Sequence, residues 1–403
     1  MADFPQFRYA MRDVRRVGEV IAGDLVWTDE SAPVIREAFH VASNWRGAHA
    51  YPMRSIRCQL MYYMRALEID GVTAARLKRM QSIRRKLRRI GLHLNQLQDL
   101  GGCRAILARI SDVNALVGVL RDRSRHELRD EDDYIRTPKK DGYRSYHLMF
   151  NFCGRGRTKA FDGRRVEVQV RTRLQHSWAT AVEAIGLLRG EDLKANKGNK
   201  DWLRLFLLMS AEFALAEGCP EPPDVPPRNE RVEEIKALDE SLEATATLEN
   251  MSYAVRWTDL AVSPRQAPTY YLISYDNATR EVEVRPYFAP RKAQLQYESA
   301  EAIDNRTGGD TKNIVLVEAD KLEAMKEAYP NYFGDVQLFK TQLRRITRGD
   351  GAKEFVVRPQ ESVRPRPRES ADLMWLKRRK PWRDIEGAIR DDARRRRSKR
   401  ASS

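Results

Sequence analysis

The chain has no run of roughly eighteen apolar residues among its 403, so no transmembrane helix and no membrane partner are expected. Its opening, MADFPQFRYAMRDVRR, lacks the apolar stretch of a secretory signal. Cysteine is scarce: Cys58, Cys103, Cys153 and Cys219 lie far apart with no CxxC spacing. That pattern fits reduced thiols in a cytoplasmic protein better than a disulfide framework. No Cys or His follows Cys219, so zinc is not expected in the C-terminal half. No GxxxxGK loop occurs, which sets aside a P-loop NTPase.

What the chain does have is charge. Asp, Glu, Lys and Arg make up 32% of it, and the net charge is +16. Such an excess points to a polyanionic partner, nucleic acid first, without saying which. The 42% hydrophobic content is ample for a core and suggests two domains.

Residues up to about 90 read as helical, because Leu60, Met64 and Leu67 recur at helical spacing, as do Ile83, Leu87 and Ile90. The period then changes. Residues 103–110 read as a strand, Asp112 as the cap of a helix over 113–121, and 146–152 as a second strand. Residues 166–171 alternate strictly, which puts Glu167, Gln169 and Arg171 on one face. Helices are expected over 174–188 and 202–216. Five prolines in 218–227 then break the pattern. A helix over 230–249, strands near 270–274, 281–285 and 314–317, and helices near 291–303, 321–328 and 336–346 follow. The expected division is a first α+β domain over 1–217, a linker over 218–229, a small α+β domain over 230–348 and a basic tail over 349–403. Within the tail, residues 364–368 read as an extended linker and 394–400 as a basic block.

Three groups of residues carry chemistry. Asp99 precedes two glycines at a strand entrance, and Glu167 projects from a strand. Two carboxylates on neighbouring strands hold Mg²⁺, or one holds metal while the other takes a proton. Taken singly, each is an ordinary surface acid. Residues 76–86 concentrate cations of the kind that phosphoryl transfer needs, although a solvated helix face has the same composition. The stretch 133–147 combines Pro138, Lys139, Gly142, Tyr143 and Arg144 ahead of a strand. There Tyr143 offers a ring for a base, and Lys139 and Arg144 offer grips for phosphate.

Four blocks in this order resemble the synthetase domain of RelA/SpoT homologues. They are Arg76-x-Lys78-x-x-x-Ser82, Asp99-x-x-Gly102-x-Arg104, the 133–147 stretch ending in His147, and Glu167-x-Gln169-x-Arg171-Thr172. The resemblance implies a nucleotidyltransferase-like mixed sheet flanked by helices. It also implies a pyrophosphokinase that uses ATP, with Mg²⁺ at Asp99 and Glu167 activating the acceptor hydroxyl. Arg76 and Arg104 would sandwich adenine, with Lys78, Ser82 and Lys86 nearer the phosphates. Tyr143 would stack on the acceptor base, with Lys139, Arg144 and His147 beside it and Gln169 and Arg171 on the same face. Bifunctional members carry a separate His-Asp hydrolase domain, and no His-Asp dipeptide occurs here.

Residues 174–183 depart from the long ribosome-associated members and look like the small toxic ones, which pyrophosphorylate the 3′ end of tRNA. The charge suits tRNA better than free GDP or GTP. The second half resembles the C-terminal half of CapRel-type fused toxin–antitoxins, a pseudo-zinc-finger domain without zinc. In that group a Tyr-x-x-Tyr motif, matched by Tyr329 and Tyr332, occupies the adenine site, and a phage structural protein releases it in antiviral defence. Tyrosines packing in a small core are the plainer reading of the pair. An alarmone synthetase acting on GDP or GTP and a non-catalytic RNA-binding module remain the competing functions.

Overall fold

The computed structural model describes residues 4–254, 256–258, 268–276, 279, 281–306, 312–320, 322–333 and 336–354. The stretches 364–368 and 394–400 lie outside them. Three helices come first: α1 (Met11–Ala22), α2 (Ser31–Gly47) and α3 (Ala50–Ala66). The helical run expected up to residue 90 is interrupted by β1 (Gly71–Leu77) and resumes as α4 (Met80–Ile90). Thr73, Ala74 and Ala75 are buried in succession, so β1 is covered on both faces and shows no alternation to betray it.

The strands β2 (Gly101–Leu107), β4 (Tyr146–Asn151) and β5 (Arg165–Thr172) lie where the sequence places them. The helix α5 (Ile110–Arg123) starts earlier than expected, with Arg109 as its cap. Asp112 sits in its first turn instead, where a carboxylate favours the helix dipole. An unexpected strand, β3 (Glu127–Asp133), is mostly exposed and almost wholly charged. It forms one edge of the sheet, where charge discourages pairing with other chains.

The helices α6 (Arg173–Arg189) and α7 (Lys200–Ala216) follow. The proline-rich stretch is a turn leading into α8 (Arg228–Leu242), which packs on α7 through buried Arg231 and Glu212, 2.8 Å apart. The single helix expected over 230–249 is two, because Glu243 adopts a left-handed φ of 48° before α9 (Ala244–Ala254). Then come β6 (Arg256–Thr258), β7 (Tyr270–Asp276), β8 (Glu281–Tyr287), α10 (Pro290–Arg306), β9 (Lys312–Glu318), α11 (Leu322–Ala328) and α12 (Gln337–Thr347).

Among the described residues, nine strands join one mixed sheet in the order β3-β4-β5-β2-β1-β9-β7-β8-β6. β2 pairs with β5, and β6 with β8, in parallel; the other pairs are antiparallel. The joint between the two halves is short: Ala75 faces Glu318 and Arg76 faces Val317. Leu60 of α3 and Leu116 of α5 share a core with Leu107 and Val168 of the sheet. A second core gathers α6, α7, α8, α9 and α12 around Trp202, Phe206 and Phe339. Residues 256–333 are therefore inserted between two helices, α9 and α12, that both belong to the α6–α7 core.

Candidate active site

Side chains on one face of a strand recur at every second residue. The register sets Gly102 between Arg76 and Glu167, and lines up Arg104, Gln169 and His147 on successive strands. These residues, with Arg171, share one face of the sheet. Together with Lys78, Asp99, Lys139, Tyr143 and Tyr329 they line a cleft of about 360 Å³, within the usual range for a small-ligand site.

The two carboxylates meet there in different company. Asp99 Oδ2 accepts from Lys78 Nζ at 2.7 Å and Lys86 Nζ at 2.9 Å. Burial pushes the carboxyl up, but the two ammonium groups outweigh it and hold Asp99 below its ordinary range. Its Oδ1 is buried without a hydrogen-bond partner. Glu167 Oε1 lies 3.0 Å from His147 Nδ1, and Oε2 accepts from Gln169 Nε2 at 2.9 Å. Burial again raises this carboxyl, and the His147 hydrogen bond overcomes it. Among the described residues no three His, Cys, Asp or Glu gather as a ready metal cage. Magnesium in phosphate-transfer sites needs only one or two carboxylates beside the phosphates. The unpartnered Oδ1 of Asp99, one strand from Glu167, fits that requirement.

The side of the cleft around Tyr143 is aromatic and cationic. Tyr143 Oη and His147 Nε2 are 2.8 Å apart. A proton on His147 Nδ1 serves Glu167, leaving Nε2 to accept from the phenol. Lys139 Nζ lies 4.1 Å from the Tyr134 ring centroid and 5.3 Å from that of Tyr143. The turn between Lys139 and Tyr143 depends on Gly142, whose φ is +89°. A Cβ there would also come within 3.0 Å of Ser210 Cβ. Arg171 is buried and makes no ion pair among the described residues, while burial and then Arg104 press its pKa down. An anion beside it would relieve both effects.

The opposite wall of the cleft is occupied by the chain itself. The Tyr329 ring centroid lies 5.2 Å from Arg76 Cζ and 5.1 Å from Arg104 Cζ. The backbone just ahead of the ring is pinned as well. Arg104 Nη1 donates to the Ala328 carbonyl at 2.7 Å. His176 Nε2 lies 2.9 Å from the Glu327 carbonyl, and Arg173 pairs with the Glu327 carboxylate at 3.0 Å. Burial, then Arg171 and Arg104, hold His176 well below its ordinary pKa, so the neutral ring donates through Nε2–H. Tyr332 lies outside the cleft lining. It is 2% exposed, in a core with Ala74, Tyr271, Met325 and Tyr329.

Three other expected residues also stand away from the lining. Ser82 is half-buried on α4, and Lys86 touches the cleft only through Asp99. Arg144 is buried and turned to Glu217, 3.0 Å away, so it serves the fold. Conversely, Glu183, Lys194 and Trp178 line the cleft without having been singled out. Glu183 pairs with Lys194 at 2.8 Å. Burial raises its carboxyl, but Lys194 and Arg76 pull it down to about 2. Trp178 packs 6.2 Å from Tyr143. Both Trp178 and Glu183 fall in the 174–183 segment that looks like the small toxic members; Lys194, in a short turn, has no such signal.

A cationic cleft with two carboxylates on a mixed sheet has the composition that phosphate chemistry requires. Residues 75–186, which hold all of it except Leu193, Lys194, Leu203, Phe206 and Tyr329, match the family described as a region found in RelA / SpoT proteins. The GTP pyrophosphokinase of Escherichia coli K12 is 31% identical over 157 residues, 37% of this chain and 20% of that one. Two Bacillus subtilis proteins are shorter: GTP pyrophosphokinase YwaC, 33% identical over 27% of this chain and 54% of its own, and GTP pyrophosphokinase YjbM, 31% identical over 32% and 61%. The chain thus spans about a fifth of the long relatives it matches. Among solved structures, small alarmone synthetase 1 from Bacillus subtilis, bound to its product pppGpp, is 22% identical over 42% of this chain and 89% of that one. Its TM-score is 0.37, too low to carry an argument.

Proposed function

We propose that this chain is an ATP-dependent pyrophosphokinase, that its acceptor is the 3′-hydroxyl at the end of tRNA, and that its own C-terminal half holds it inactive. The observation that carries this is Tyr329 between Arg76 and Arg104, the pair that would otherwise clasp adenine. In the reaction the ribose O3′ attacks the β-phosphorus of ATP. The O3′–Pβ bond forms, the bond from Pβ to the α–β bridging oxygen breaks, and AMP leaves with that oxygen. Glu167 takes the hydroxyl proton. Asp99, whose Oδ1 has no hydrogen-bond partner, would hold magnesium, which would neutralise phosphate charge. Lys78 and Lys86, now tied to Asp99, turn to the phosphates, and Tyr143 carries the acceptor base.

The net charge of +16 supports tRNA, because an acceptor stem presents many phosphates and a free nucleotide few. GDP or GTP is the second reading, supported by the names of the relatives. An outside protein would release the enzyme; the CapRel resemblance makes a phage structural protein the candidate, and translation its target. Purified full-length Tyr329→Ala protein, given ATP labelled at the γ phosphate with tRNA, GDP or GTP, decides the acceptor. Label on tRNA is expected, and label on GDP or GTP alone sinks the tRNA assignment. If Glu167→Gln leaves all transfer intact, the site assignment fails with it.

A further inference from the structure

A second charged contact holds the inserted stretch, away from the cleft. Arg46 of α2 is fully buried, and its Nη1 lies 2.7 Å from Glu301 Oε2 on α10. The same nitrogen donates to the Lys78 carbonyl and to the Tyr297 hydroxyl, each at 3.3 Å. The Tyr297 ring centroid lies 4.7 Å from the guanidinium carbon. The other oxygen, Glu301 Oε1, accepts the Met80 N–H at 3.0 Å and the Tyr297 hydroxyl at 2.8 Å. Met80 opens α4, and the first amides of a helix lack partners within it and favour an anion. One carboxylate therefore fills a position bounded by a helix N-terminus and a buried guanidinium. Nε and Nη2 of Arg46 are buried there without hydrogen-bond partners, spare donors beyond what Glu301 uses.

The contact is coupled to Tyr329 through the fold. Ala293 and Tyr297 of α10 share a core with Tyr270 and Leu272 of β7 and Ile314 and Leu316 of β9, so α10 travels with those strands. Movement that withdraws Tyr329 also withdraws Glu301 from Arg46. A buried charge that loses its partner is strongly unfavourable, whereas a replacement anion removes the penalty. A tetrahedral anion suits a helix N-terminus and a guanidinium fork equally well.

We propose that Arg46 and the N-terminus of α4 form a phosphate-binding site, filled by Glu301 while the cleft is shut and by a free or RNA-backbone phosphate when it opens. The inference rests on reading Tyr329 as the closing element. Two measurements on the full chain test it. In calorimetry with a non-hydrolysable ATP analogue, Glu301→Gln is expected to bind about tenfold more tightly than wild type, with Tyr329→Ala as the control. In thermal melting, inorganic phosphate is expected to raise the midpoint of Glu301→Ala above that in chloride of equal ionic strength, with no such difference in wild type. Stabilisation by phosphate alone identifies a free anion as sufficient; stabilisation only by tRNA identifies the backbone. If Tyr329→Ala gains affinity, Glu301→Gln does not, and neither phosphate nor tRNA stabilises Glu301→Ala, the phosphate site is wrong and the Tyr329 lock stands. If neither variant gains affinity, the lock itself fails.

Discussion

Tyr329 faces a guanidinium on each side, and each such contact contributes about 0.5–2 kcal/mol depending on how dry it is. In the proposed reaction adenine would make the same contacts with a larger ring, so the competition would be close and a modest push would tip it. Glu183 steadies the Arg76 side of this arrangement. Its folded pKa of about 2 lies below its ordinary 4.5. The stability it contributes is therefore fully present above the unfolded value and is lost as pH falls from about 4.5 toward 2. Glu183→Gln is expected to lower the melting midpoint at neutral pH and to flatten its fall over that acid window. An unchanged slope would remove Glu183 from the account. At this scale the sequence was legible where chemistry dictates residue type: Arg76, Arg104, Asp99, Glu167 and Tyr143 all reach the cleft. Arg144 was not legible, because a cation in a cation-rich loop reads the same whether it meets phosphate or a distant Glu217.

Strands with alternation or a short apolar run were readable, β7 and β9 among them although both are buried on both faces; β1 and β3 were not. Alternation exposed β5, whereas β1 has apolar neighbours on both faces and β3 is nearly all charge. The missed β1 matters most, since it carries Arg76 and forms the joint to β9. The helix α12 was found, but no local pattern says that it returns to pack on α6 and α7. Its Phe339 ring lies 5.6 Å from Phe206 and 5.9 Å from Phe213. Phe339→Ala should cost about 3–5 kcal/mol. Because α6 lines the cleft, hydrogen exchange should quicken across α6 and α7 as well as α12. Acceleration confined to α12 would mean that the helix is peripheral to that core.

For the molecule as a whole, the insertion of residues 256–333 between α9 and α12 would limit the opening proposed for the cleft. The inserted stretch is tethered at both ends to the core that builds the cleft wall, so the proposed opening would be a hinge and not a dissociation. No helix among the described residues is long and apolar enough to cross a membrane. The charge of +16 makes a further prediction: if tRNA is the acceptor, its binding to Tyr329→Ala should weaken steeply as salt rises, by about tenfold or more between low and physiological salt. A flat response would favour a free nucleotide. The most direct test of the central claim is the rate at which label passes from the γ phosphate of ATP to the acceptor in wild type and in Tyr329→Ala. We predict a rate at least about tenfold higher in the variant, abolished when Glu167→Gln is added. Equal rates with and without Tyr329, or transfer that survives the loss of Glu167, would contradict it.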